Sequence, residues 1–240
     1  MKTKLFLLTL VLFSSVIASA ANFAKDVFKT KEGKTLEITF IKHGSLMLKY
    51  NNKIIQVDPV STYADYKQFP KADLILVTHE HGDHLDMKAI AASRKSGTKI
   101  IANESSVKKM SEGKALKNGE STTEFNIKIE AVPAYNMTEG HTQFHPKGRD
   151  NGYILTFGGT RVYISGDTED IPKLKNLKNI TIAFLPVNQP YTMTVPQAAK
   201  AAKMFMPKIL YPYHFGETKI EALKTALDGS GIDVRIRNLQ

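Results

Sequence analysis

Apolar residues along this chain fall into short runs, most of them alternating with polar ones. Period-two patterning over 35–42, 45–50 and 53–57, interrupted by His43-Gly44 and Asn51-Asn52, predicts three strands joined by tight turns. An unbroken apolar stretch at 74–77 predicts a buried strand, and the spacing over 85–92 predicts an amphipathic helix directly after it. Further strands are expected at 99–102, 127–132, 180–185, 208–213 and 233–236, with 152–157 and 161–165 flanking Gly158-Gly159 as a hairpin. Helices are expected at 104–110, 218–227 and the alanine-rich 195–206. Strands first, then strands mixed with helices, occur twice over. That order fits an α/β domain with helices outside two packed sheets, and no short-period repeat suggests a solenoid.

Between the strand at 74–77 and the helix after it lie Thr78-His79-Glu80-His81-Gly82-Asp83-His84-Leu85-Asp86. Imidazole nitrogens with a carboxylate suit zinc, manganese or iron better than calcium or magnesium. His79 and His81 can converge if the backbone between them is extended, which turns Glu80 away. Gly82 allows a turn that would aim Asp83 and His84 at a second point, so two metals side by side are expected. The plain alternative is a polar loop that happens to hold three of the chain's seven histidines.

The first residues change the picture of where the protein works. Lys2 and Lys4 precede an apolar run over 5–18 that ends in Ala18-Ser19-Ala20. A charged start, a short apolar core and a small-x-small end describe a secretory signal at 1–20, with 21–240 as one mature domain. The run falls short of the about 20 residues a membrane span needs, so no stable membrane anchor is expected. A periplasmic or secreted location follows. The net charge of +10 becomes +8 once Lys2 and Lys4 leave with the signal, and no dense basic run interleaves with aromatics, so no nucleic acid is expected as partner. The charge allows an anionic small-molecule substrate equally with a solvated lysine-rich surface. With no cysteine, disulfides, thiolate ligands and thiol nucleophiles are all excluded.

Three later segments end a strand with a residue able to hold a metal. Asp167 in Gly166-Asp167-Thr168 is, by itself, more often a turn or cap residue, and His214 at the end of 208–213 more often structural. His141 and His145 lie in the long connection before Gly152.

His-x-His-x-Asp-His resembles the signature of the metallo-β-lactamase-fold hydrolases, and Gly166-Asp167-Thr168 and Tyr213-His214-Phe215-Gly216 resemble its later motifs, in the same order. His43-Gly44-Ser45, Asp58-Pro59, Leu185-Pro186-Val187 and Tyr191-Thr192-Met193 are most similar to the branch containing the ascorbate-6-phosphate lactonase-like hydrolases. The resemblance covers nearly all of the mature chain and implies an αββα sandwich. It departs at Ala134-Tyr135-Asn136, where many members carry the third metal histidine; His145 is the expected replacement, with His141 the alternative.

Carried over, the resemblance implies a first metal on His79, His81 and His145, a second on Asp83, His84 and His214, and Asp167 bridging. His43 and Asp58 would support ligands or face substrate, while Lys147, Arg149, Tyr191 and Thr192 are candidate cleft residues. Two divalent ions, expected to be Zn2+ with Mn2+ or Fe2+ as alternatives, would lower the pKa of a water from about 15.7 to about 7. A metal-bridged hydroxide, oriented by Asp83 and Asp167, would then attack an ester, lactone, amide or phosphodiester. Two competing readings remain: an iron-dependent oxidoreductase, and a non-catalytic metal-binding or sensing protein of the same fold.

Overall fold

The computed structural model describes residues 23–240, so the expected signal segment lies outside the described residues. Two seven-stranded sheets carry the chain. The first contains β1 (Lys25–Lys29), β2 (Thr35–Lys42), β3 (Ser45–Tyr50), β4 (Lys53–Val57), β5 (Ala72–Val77), β6 (Arg94–Ala102) and β7 (Lys114–Ala115), side by side in chain order. The second contains β8 (Ser121–Glu124), β9 (Ile127–Ala134), β10 (Asp150–Phe157), β11 (Thr160–Ile164), β12 (Ile180–Pro186), β13 (Ile209–Tyr213) and β14 (Asp233–Val234), also in chain order. Helices α1 (Met87–Ser93), α2 (Glu104–Met110), α3 (Val195–Phe205) and α4 (Ala222–Ala226) make the crossovers.

Both sheets follow one plan. Four strands meander antiparallel (β1 to β4, β8 to β11), and three more join in parallel (β5 to β7, β12 to β14). The strand alternation shows why the sheets must stack. Leu36, Ile38, Phe40, Leu74 and Leu76 enter the main core between the sheets, where Phe40 meets Tyr211 at 4.9 Å and Phe184 at 6.3 Å between ring centroids. Their odd-numbered neighbours Ile75 and Val77 face the other way and pack with Leu85, Ile90 and Met110 under α1 and α2. Opposite them, Tyr163 meets Phe205 of α3 at 5.7 Å. Helix, sheet, sheet, helix is therefore the order of layers, the αββα sandwich the motifs imply.

Local chemistry sets the helix starts. Asp86 caps α1 by accepting from the Lys88 and Ala89 amides, and also accepts from Ser61 N. Thr194 and Gln197 form a reciprocal capping box on α3.

Apart from β6, which begins at Arg94 rather than at 99, the differences from the expected elements lie at the edges and near the end of the chain. β1, β7 and β8 appear where no strand was expected, α4 covers only the middle of 218–227, and the last strand is shorter than 233–236. Edge strands bury one face incompletely, as the half-exposed alternation of β1 shows, so their apolar signal is weak.

Candidate metal centre

Strand direction gathers the candidate residues. β2, β4, β5 and β6 run one way in the first sheet, as do β9, β11, β12 and β13 in the second. His43 follows β2, Asp58 follows β4, the histidine motif follows β5, His145 lies between β9 and β10, Asp167 follows β11, and His214 follows β13. All lie beyond carboxyl ends of strands, the usual place for sites on such sheets.

Three groups of ligand atoms, each within 4.8 Å of one another, form there: His79, His81 and His145; His79, His84 and Asp167; and His43, Asp83, His84 and His214. Asp167 sits between the sets. Its Oδ2 is 3.4 Å from His145 Nε2, 3.8 Å from His79 Nε2 and 3.2 Å from His214 Nε2, while Oδ1 is 3.5 Å from His84 Nε2. Asp83 Oδ2 lies 3.5 Å from His214 Nε2 and 3.9 Å from His84 Nε2.

The rings of His84, His79 and His145 are held from behind. Asp58 accepts from Thr78 N at 2.8 Å and Thr78 Oγ1 at 2.7 Å, and its Oδ2 lies 2.8 Å from His84 Nδ1. Thr78 Oγ1 is 3.0 Å from His79 Nδ1, and Asp150 Oδ2 is 2.9 Å from His145 Nδ1. These contacts aim the Nε2 atoms inward, the arrangement metal-bound histidines need. His81 and His214 are exceptions: His81 Nε2 already lies 3.3 Å from Arg149 Nη2, and His214 Nδ1 has no aligned partner.

The donor set passes a test of fit for a cation. His79 Nε2, His84 Nε2, both ring nitrogens of His214 and Asp167 Oδ1 are buried without an aligned hydrogen-bond partner. Orphaned buried polar atoms are costly, yet here four, one from each side chain, converge on one place. The electrostatics agree. Burial holds His79 well below the usual imidazole range, keeping it neutral. Burial would lower His84 and His214 too, but Asp167 and the neighbouring carboxylates outweigh it; His84 is raised, and His214 is pushed up to about 10. Burial would raise Asp83 and Asp167, but the surrounding imidazoles hold both well below the carboxylate range. Negative charge is thus fixed at the centre of the site, balanced by protons that a cation can replace.

The backbone is bent to fit. His43, Asp58 and His214 have φ of 55°, 43° and 48°, a region non-glycine residues avoid. Gly166 has φ 62°, and a Cβ on it would lie 2.6 Å from Asn151 O. At Gly44 a Cβ would lie 2.7 Å from His84 Cε1, so that glycine lets the ring approach. Gly82, expected to supply the turn, has no positive φ and nothing within 4 Å of an added Cβ. It nonetheless lies in the turn that redirects Asp83, closed by His84 N and Leu85 N donating to His81 O.

The remaining candidates sort by contact. His141 stands apart from the three groups, its Nδ1 3.5 Å from Glu169 Oε1. Glu80 faces Ser105 and Arg149, as the alternation implied. Lys147 lies over the Tyr135 ring at 5.7 Å, lining a cavity of about 570 Å³. Tyr191 is exposed, with its ring 5.0 Å from that of Phe144. Arg149, a candidate for substrate charge, is spent on Asp150 (2.7 and 2.9 Å) and Phe144 O. Thr192 is buried, with its hydroxyl bonded to Asn188 backbone rather than facing the cleft. Asp150 and Tyr63, whose ring is 5.4 Å from that of His43, escaped the sequence reading. An acid shortly after a candidate ligand was the available signal for Asp150.

Against known families, residues 37–214 match the Beta-lactamase superfamily domain. The chain belongs to the metallo-β-lactamase superfamily. A UPF0173 metal-dependent hydrolase of Thermococcus kodakarensis is 33% identical over 193 residues, 75% of this chain and 84% of that one. A crystal structure from Parabacteroides distasonis, assigned to the metal-dependent hydrolases, superposes with TM-score 0.90 at 71% identity, covering 91% of this chain and 100% of its own. The fold also matches CmlA of Streptomyces venezuelae, a diiron β-hydroxylase, at TM-score 0.69 and 13% identity over 87% of this chain and 53% of that one. This superfamily member is a metal-dependent hydrolase.

Proposed function

We propose an exported hydrolase with a dinuclear metal centre, zinc in the first instance, acting on an ester, lactone, amide or phosphodiester of a small and preferably anionic substrate. The observation that carries the reading is the Asp167 carboxylate, within 3.8 Å of imidazoles from both groups. In it, His79, His81 and His145 would hold one ion and Asp83, His84 and His214 the other, with Asp167 placed between the two groups. Bound divalent ions supply Lewis acidity and a hydroxide at neutral pH.

The protein's own residues do the rest. Asp58, Thr78 and Asp150 fix the imidazole tautomers, and Asp83 and Asp167 supply the charge that retains the ions. Asp83, with its side chain 43% exposed, borders the open side through which substrate enters. Lys147, two residues after His145 in the chain and over the Tyr135 ring, is the remaining candidate cation for a substrate carboxylate or phosphate, since Arg149 is engaged internally. His43-Gly44-Ser45 and Asp58-Pro59 favour the lactonase-like branch, so a lactone is the first substrate to try.

The test is elemental analysis of the purified mature protein, followed by assays of the metal-loaded form on a lactone, an ester, an amide and a phosphodiester. Two zinc or manganese ions per chain and hydrolysis that chelator abolishes are expected. Iron with no hydrolysis would favour the oxidoreductase reading, and no metal the non-catalytic one. Export predicts that the mature chain starts at Ala21; an intact N-terminus in the periplasmic fraction would overturn cleavage there.

A further inference from the structure

His43 stands closer to the centre than a supporting residue needs to be. Its Nε2 is 3.2 Å from Asp83 Oδ2, and its ring centroid is 3.6 Å from that of His214. Its side chain is only 14% exposed, backed by the Tyr63 ring at 5.4 Å. The backbone is held in place too: His43 has φ 55°, and its carbonyl accepts from His214 N at 3.3 Å.

We propose that His43 is itself a metal ligand, with its Nε2 joining Asp83, His84, His214 and Asp167 around the second ion. This rests on the dinuclear reading above and adds a donor to it. Three arguments carry it.

The first is distance. Ligands about 2.0–2.2 Å from a divalent ion stand roughly 2.8–3.8 Å apart at adjacent positions of a five-coordinate site. Around Asp83 Oδ2 the separations are 3.2 Å to His43, 3.5 Å to His214 and 3.9 Å to His84. His43 and His214 fall within that spacing, and His84 lies just beyond it.

The second is the shared plan of the sheets. β2 in the first half occupies the place of β9 in the second, and β4 the place of β11. His43 follows β2 as His145's connection follows β9, and Asp58 follows β4 as Asp167 follows β11. Each half therefore brings one imidazole to the centre from its second strand, one toward each ion.

The third concerns what else His43 could be doing. A ring that only oriented Asp83 would present an N–H to it and need no close face on His214. Here the two rings lie nearly in contact, tilted by 40°, with both nitrogens of His214 lacking an aligned partner. A cation shared between the two Nε2 atoms accounts for that crowding.

The experiment titrates metal-free mature protein with Co2+, reading visible absorption and the Co2+ retained after gel filtration. Wild type, His43→Ala and His43→Gln are compared. Gln keeps an N–H donor for Asp83 but is a poor ligand for a divalent ion. Expected is a loss of affinity beyond 100-fold for one of two equivalents in both variants. The absorption of that equivalent should also intensify as its coordination number drops. Wild-type affinity and spectrum in His43→Gln would overturn the proposal and leave His43 as a hydrogen-bond donor to Asp83. Uptake of one equivalent by wild type would overturn the dinuclear reading instead, and the variant spectra of that single ion would still decide His43. Should the variants not fold, wild type loaded with Co2+ decides it: six paramagnetically shifted imidazole N–H resonances support the proposal and five refute it.

Discussion

Replacing Asp58 by asparagine alters two atoms and reverses the logic of one imidazole. The Asp58 side chain is fully buried and makes three contacts: Thr78 N at 2.8 Å, Thr78 Oγ1 at 2.7 Å and His84 Nδ1 at 2.8 Å. As a carboxylate it accepts all three, so the His84 proton sits on Nδ1 and the lone pair of Nε2 points into the site. In Asp58→Asn, Oδ1 still accepts from Thr78 N, but the amide now presents hydrogens to His84 Nδ1. The ring relaxes by moving its proton to Nε2, where it excludes a cation.

Two routes give the size of the effect. A hydrogen bond involving a charged group contributes about 1.5–3 kcal/mol. Loss of an outer partner of a metal-binding histidine costs about 10–100-fold in affinity, or roughly 1.4–2.8 kcal/mol. Competition with a chelating dye, on wild type and Asp58→Asn, should therefore show a 10–100-fold weaker ion at the site containing His84. The site of His79, His81 and His145 should weaken less, because its link to Asp58 runs only through Thr78 Oγ1. Wild-type affinity at both sites would refute the tautomer argument outright.

Three further outcomes are expected. His145→Ala should remove metal from one site and lower turnover by several orders of magnitude, whereas His141→Ala, touching only Glu169 at 3.5 Å, should cost no more than about 10–100-fold; the reverse order would move the ligand to His141. Metal removal should lower the melting temperature: at 100 Kd of free ion, binding contributes about 2.7 kcal/mol, worth roughly 5–11 °C in a domain of this size, and an unchanged melt after verified stripping would refute it. Asp26→Asn should destabilise by about 1–2 kcal/mol at neutral pH, because the carboxylate receives Arg237 Nη2 at 2.6 Å and the Tyr211 hydroxyl. Burial would raise the Asp26 carboxyl, but Arg237 and Tyr211 outweigh it and the net shift is downward. A depressed acid stabilises above its unfolded pKa of about 3.9 and loses that contribution as pH falls through the folded value. The gap between the two proteins in denaturant melts should accordingly close in acid, and a gap constant down to pH 2 would contradict the assignment.

Much of this was legible in the sequence because the relevant signals are local. The strand at 74–77, the histidine motif and α1 follow one another within twenty residues, so periodicity and residue type report the junction directly. Separation in the chain hid the rest. Asp150 as the partner of His145, and Arg149 turned inward onto it, depend on how the connection from β9 to β10 closes. His43 showed as a turn residue and a possible support for a ligand, but its contact with His214 did not, because His214 lies 171 positions later, in the other half of the fold (43 to 214). The turn expected at Gly82 is present, but Gly82 has no positive φ there, so the turn does not depend on its being glycine.

The strain at the site follows from the architecture. Each sheet by itself ends its forward strands in ordinary loops, and neither half holds a full set of donors. Only stacking the sheets face to face, with Phe40 against Tyr211 and Phe184, brings His43, Asp58 and the motif opposite Asp167 and His214. Convergence of six strand ends in so small a space leaves little freedom in the turns. Residues with φ of 43–55° at Asp58, His214 and His43 are therefore held by the core rather than by local preference. At about 1–3 kcal/mol for each such residue, the strain is small beside the apolar burial between the sheets. It also fixes donors in place before any cation arrives. A site preorganised in this way loses affinity when the core is loosened, even by substitutions that touch no ligand.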